Sequence, residues 1–265
     1  MDRHSLSTLK SILFLAGSFT FAFLLGEAVH EYGHYLANLS YGLQGIQIHL
    51  DPFGSSHIAG VSSPQNSLVG GVTGAAGPLL NLALGIGCFF LFWRLRRPLL
   101  LPLLMWGPVA MVQEGVTFSL GLLTPGGDAQ WVVGLGIPAM IVLMVGIVLL
   151  MAGMIMIAGL ITLAGIQPSL SFERKYFIVL LGMGSLMLIR FVHSLAAAPQ
   201  SINENMIPLV FTLLLSALVA ALQAPMAWIM DQAILKEPAP ISWSSAASGL
   251  ILGSGMFLFQ VLALN

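Results

Sequence analysis

SILFLAGSFTFAFLLGEAVHEYGHYLANL, residues 11–39, decides the fold of this chain. It holds no Lys or Arg, and Glu27 and Glu31 are its only acids, so it reads as a membrane-spanning helix. About 30 residues make a helix of ~45 Å against ~30 Å of hydrocarbon, so this span should tilt or overrun one face. Within it, His30-Glu31-Tyr32-Gly33-His34 spells H-E-x-x-H. Histidines at i and i+4 face the same point and can fill two corners of a tetrahedral zinc site, with Glu31 beside them as a candidate general base. The plainer alternative is two histidines snorkelling at a membrane boundary.

The rest of the chain agrees with a lipid solvent. Of 265 residues 57% are hydrophobic and 7% charged, with a mean hydropathy of +0.95. A soluble core could not hide that much apolar surface, so the expected fold is an all-α polytopic transmembrane bundle. A formal net charge of -1 provides no basic field, and nucleic acid is not an expected partner. The single Cys88 excludes an intrachain disulfide. Met-rich runs such as residues 151–156 read as lipid-facing or packing surface. Arg3 and Lys10 before an apolar run imitate a secretory signal, but no small-x-small site closes that run, so it is expected to be a retained first span.

Hydropathy places seven spans at about residues 11–40, 68–93, 98–123, 137–164, 176–197, 207–230 and 243–264. Asp128 to Gly136 could form a separate short helix, broken by Gly134, Gly136 and Pro138. Seven crossings gather Arg3, Lys10, Arg94, Arg96, Arg97, Arg174, Lys175 and Lys236 on one side, expected to be cytoplasmic together with the N-terminus. The H-E-x-x-H motif then lies toward the other face. Arg190 alone falls inside a span, one turn before His193. The pair could meet Glu114 or snorkel toward the face near Pro199, and its place late in the span favours the second.

Between the first two spans, residues 45–50 alternate apolar and polar side chains, Asp51 to Gly54 offers a turn, and residues 57–61 can return. This reads as a short β-hairpin, whose edge could hold an extended substrate by strand addition; an amphipathic connector lying on the membrane is an equal alternative. His49 and His57 are not counted as metal ligands. The second span opens with Gly70, Gly71, Gly74 and Gly77-Pro78-Leu79-Leu80-Asn81, small residues that let another helix approach closely. Asn81 would position a substrate backbone or a catalytic water, or else make an interhelical hydrogen bond.

A zinc site also needs a third protein ligand and an open fourth position. Asp128 leads, because Pro125, Gly126 and Gly127 let the backbone bend a carboxylate toward the site. Glu114, an ionisable group within the third span, is the rival. Glu27, three residues before His30, could receive an imidazole N–H or be solvated by water entering the site.

The ordered set His30-Glu31-Tyr32-Gly33-His34, Gly77-Pro78-Leu79-Leu80-Asn81 and Pro125-Gly126-Gly127-Asp128 resembles the site-2 protease family of intramembrane zinc metalloproteases. The resemblance covers about residues 11–135. It implies that His30, His34 and Asp128 bind one Zn2+ and that Glu31 activates water, so that peptide bonds in or near transmembrane segments of membrane proteins are hydrolysed. Residues 1–135 would then be the protease core and 136–265 additional transmembrane helices. Leu120 stands where the family's third motif has Asn, and Ala129 where it has Gly. Members of the family place the site toward the cytosol, whereas the charge asymmetry here points it to the opposite face. Two other classes remain: a catalytically inactive relative that binds membrane segments, and a metal transporter.

Overall fold

The computed structural model describes residues 3–53, 56–60, 66–95, 100–123, 126–163, 166–167, 169–197, 202–233 and 242–263. The protein is an all-α helical bundle with one two-stranded sheet. Its helices are α1 (Arg3–Ser40), α2 (Ser67–Leu95), α3 (Leu101–Ser119), α4 (Asp128–Gly134), α5 (Ala139–Leu163), α6 (Phe172–Met183), α7 (Ser185–Ala197), α8 (Ile202–Ala233) and α9 (Trp243–Ala263). The strands are β1 (Gln47–His49) and β2 (His57–Ala59). The expected short helix after Gly127 is α4. Arg96, Arg97, Pro125 and Lys236 lie outside the described residues.

Among the described residues five helices, α1, α2, α5, α8 and α9, are long and apolar enough to cross a membrane, and α6 with α7 passes the same test only as a pair bent by 56°, a broken span or a re-entrant loop. The protein is therefore a multi-pass membrane protein. The expected third span, α3, is not among these helices, and it carries Gln113 and Glu114. Position explains the difference: α3 packs between α1, α2 and α5, with Leu104, Met105, Val109 and Ala110 buried, so neighbouring helices rather than lipid solvate its polar groups. The expected fifth span, 176–197, is bent at Gly184, where a side chain would collide with the Leu180 carbonyl and the chain restarts as α7.

α1 is the axis of the bundle. Phe14, Leu15, Phe19 and Ala22 join Leu104, Met105 and Val109 of α3, Ile157 and Ile161 of α5, and Ile178 and Val179 of α6 in the main core. On another face α9 lies against α1 with its backbone close: a Cβ on Gly17 would strike the Gly249 backbone, and one on Gly253 would stand 3.0 Å from the Gly17 Cα. Gln260 Nε2 donates to the Leu24 carbonyl at 2.9 Å across the same interface. The helices after residue 136 are thus built into the first half, with α9 along α1 and α5 along α3.

Arg174 and Lys10 mark one end of the bundle. Arg174 at the start of α6 donates to Thr8 Oγ1 at 3.2 Å, and Lys10 lies 5.1 Å above the Trp243 ring at the start of α9. At the other end the hairpin reading holds: β1 and β2 pair antiparallel, with His49 opposite His57. The hairpin folds back along α1, because Arg190 on α7 binds both the Pro52 carbonyl at 2.9 Å and Glu27, 13 residues before the end of α1. At 1.5 Å per residue its turn reaches back roughly 20 Å from the helix terminus. Arg190 therefore neither meets Glu114 nor snorkels. It forms a bidentate pair with Glu27 at 3.0 and 2.7 Å, and breaking one side of such a buried pair costs about 3–5 kcal/mol.

Candidate metal centre

His30 and His34 project from one face of α1, with ring centroids 4.7 Å apart. Each imidazole is oriented from behind. His34 Nδ1 lies 2.6 Å from the Thr73 carbonyl on α2, and a carbonyl can only accept, so the proton is on Nδ1. His30 Nδ1 lies 3.0 and 3.2 Å from the two carboxylate oxygens of Glu114, which fixes the same tautomer. Both Nε2 atoms then present lone pairs to one point.

Asp128 completes that point from a third element. Gly126 adopts φ +75°, Gly127 is extended, and Asp128 opens α4. Gln130 closes the turn by donating to the Leu122 carbonyl at 3.1 Å and accepting from the Gly126 N–H at 3.2 Å, while Trp131 Nε1 donates to the Gly126 carbonyl at 3.0 Å. α4 rests on α2 where glycine leaves room: a Cβ at Gly74 would lie 2.6 Å from the Trp131 Cβ. This seat brings Asp128 Oδ2 to 3.0 Å from His30 Nε2 and 3.4 Å from His34 Nε2, and the two Nε2 atoms are 3.0 Å apart.

Three acceptors at these separations repel unless a cation lies among them. Tetrahedral bonds of about 2.0–2.1 Å place neighbouring donor atoms roughly 3.3 Å apart, close to the observed triangle. Among the described residues His30, His34 and Asp128 are the one group of three placed to hold a metal ion. Their side chains are 14%, 12% and 23% exposed, leaving an approach from one side.

Glu114 is a support for His30, on the nitrogen opposite Asp128. It is 1% exposed and accepts from Asn81 Nδ2 at 2.6 Å, and Asn81 Oδ1 in turn accepts from Trp106 Nε1 at 3.0 Å. Asn81 is fully buried in this chain of bonds, so its amide makes the interhelical contact rather than reaching a substrate. Glu27, expected to take an imidazole N–H or to be solvated, is occupied by Arg190 instead. Trp106 and Thr73 were not legible as site residues: an indole and a main-chain carbonyl carry no motif, and only helix packing brings them here. Replacing Glu114 by Gln should lower metal affinity by about 10–100-fold with the fold intact, measured by competition against a chelating dye.

Glycine also sets the approach of α1 to α2. A Cβ on Gly77 would stand 2.5 Å from His34 Nε2 and 2.8 Å from the His30 carbonyl, and one on Gly33 would meet the Ala76 carbonyl at 2.6 Å. Pro78 beside it removes one helical N–H donor. Gly77→Ala should therefore shift His34 and weaken metal binding at least about tenfold, a change of roughly 1.4 kcal/mol, in the same competition assay.

Glu31 is 9% exposed and follows His30 directly on α1. Among the described residues no hydrogen bond holds its carboxylate, while the other polar side chains of the site are each bonded. A nearly buried carboxylate without a partner is suited to take one from an incoming molecule.

No protein-family model, curated protein or solved structure matches this chain. Its functional reading rests on the residues themselves.

Proposed function

We propose that this chain is an intramembrane zinc metalloprotease of the kind its three motifs resemble, the site-2 protease family. The observation that carries the reading is the convergence of His30 Nε2, His34 Nε2 and Asp128 Oδ2 beside an unbonded Glu31, within a membrane-spanning bundle. His30, His34 and Asp128 would hold the ion. When bound there, zinc acts as a Lewis acid toward a carbonyl oxygen and makes a water more acidic. Glu31 accepts the proton of the attacking water and returns it to the leaving amine. Glu114 and the Thr73 carbonyl keep both Nε2 lone pairs available, and Asn81 and Trp106 keep Glu114 in place.

The hairpin beside α1 supports the same reading. A peptide bond within a helix is hydrogen-bonded and shielded, so a substrate segment must be extended before it is cut, and a strand edge holds it in that form. The basic end, with Arg3, Lys10, Arg94, Arg174 and Lys175, is taken as cytoplasmic along with the N-terminus, which turns the metal centre toward the opposite face. Against a metal transporter stands the pairing of the deep charges: Glu27 is closed by Arg190 and Glu114 by Asn81 and His30, rather than strung across the membrane as a cation path. Against an inactive relative stands the presence of Glu31 with all three ligand candidates.

The test is cleavage of a panel of single-span membrane proteins by purified, zinc-loaded protein in detergent, with the Glu31→Gln protein as control. Cleavage that stops with a chelator and resumes with zinc is expected. Zinc-loaded protein that cuts no member of the panel overturns the reading.

A further inference from the structure

Arg190 is the one cation the sequence places deep in a span, and its partners are unusual for a simple staple between helices. Arg190 is buried, with 7% of the residue exposed. Two of its nitrogens grip Glu27 on α1, Nε donates to the Pro52 carbonyl at 2.9 Å, and Nη2 also approaches the Asp51 carbonyl at 3.4 Å. It lies 5.1 Å from the centre of the Phe23 ring. Beside it Phe53 stacks on His193 at 4.2 Å and meets Phe257 of α9 edge-on at 5.2 Å. Asp51 shapes the turn by accepting the Phe53 N–H at 2.8 Å. One side chain on α7 thus ties the hairpin turn to α1 about one helical turn before Glu31.

A bond between α1 and α7 alone needs no contact to the turn, and buried apolar pairs often hold helices as well as buried ion pairs do. The guanidinium also places two donors on the hairpin backbone, which its rigid fork allows and a lysine ammonium does not match. We propose that Arg190 is a positioning residue: through Glu27 and the Asp51–Phe53 turn it latches the hairpin at a fixed place beside Glu31. A substrate strand paired to the hairpin edge is thereby set against the metal centre. This rests on the proposed protease activity.

Arg190→Lys in the full-length protein is the informative variant, since it keeps a cation for Glu27 while losing the fork, and Arg190→Gln is its stronger counterpart. Three quantities are read: zinc per chain, hydrogen exchange of residues 45–60 and of α1, and KM and kcat on a cleaved single-span substrate. The expected result is full zinc, unchanged exchange in α1, hairpin exchange faster by about tenfold, and KM raised by a similar factor with kcat changed far less, as loss of a charge-assisted hydrogen bond gives. Unchanged hairpin exchange in both variants overturns the latch whatever the protein cuts. Faster hairpin exchange with unchanged KM overturns its role in placing substrate. A wild-type protein that cuts nothing overturns the proposed activity instead, a failure visible before any Arg190 variant is made.

Discussion

For the proposed protease, Glu31→Gln should keep its zinc and lose about 10²–10⁴-fold in the rate of cleavage. Gln has the size of Glu, and among the described residues Glu31 makes no hydrogen bond that the amide would break, so neither the fold nor the ligand triangle should move. What disappears is, among the described residues, the one carboxylate of the site without a hydrogen bond, to which the proposed mechanism gives the proton. Asp128 is committed to the two imidazoles, Glu114 to His30 and Asn81, and Glu27 to Arg190. The check is zinc per chain by elemental analysis beside single-turnover cleavage of one substrate. A fully active Glu31→Gln protein would sink the mechanism.

Asp128→Ala should do the reverse, emptying the site while leaving the bundle folded. Zinc affinities near 10–16 kcal/mol shared over four ligands give each about 3 kcal/mol, so losing one should weaken binding by about 10²–10³-fold. His34→Ala should behave alike. The fold should survive because α4 is seated by Trp131 against Gly74 and by the Gln130 bonds to its own turn, none of which involves the Asp128 carboxylate. Metal titration with circular dichroism measures both halves of the expectation. Tight zinc in Asp128→Ala together with its loss in Glu114→Gln would exchange the roles given to those two acids.

Much of this was legible in sequence because it depends on local periodicity. Helix spacing puts His30 and His34 on one face of α1, and the Gly-Gly-Asp run announces a bend that α4 realises. The roles of the remaining acids were not legible, since Glu27, Glu114 and Asp128 are equivalent as letters. Glu27 sits three residues from His30 yet turns to Arg190, 163 positions away, while Glu114 crosses from α3 to take the imidazole N–H. Asn81, a candidate for substrate, is spent on holding Glu114.

The amino-acid pattern by itself determined a multi-pass helical membrane protein, two histidines and a glutamate on one helical turn, and glycines where helices must come close. Hydrophobicity and the 3.6-residue period are properties of neighbours along the chain, so a sequence displays them directly. Only the tertiary structure decided which carboxylate meets Nε2, which one stands behind Nδ1, and which is neutralised by Arg190. Those choices are made by contacts between α1, α3, α4 and α7, and each buried charge takes the partner that packing delivers, whatever its distance in sequence.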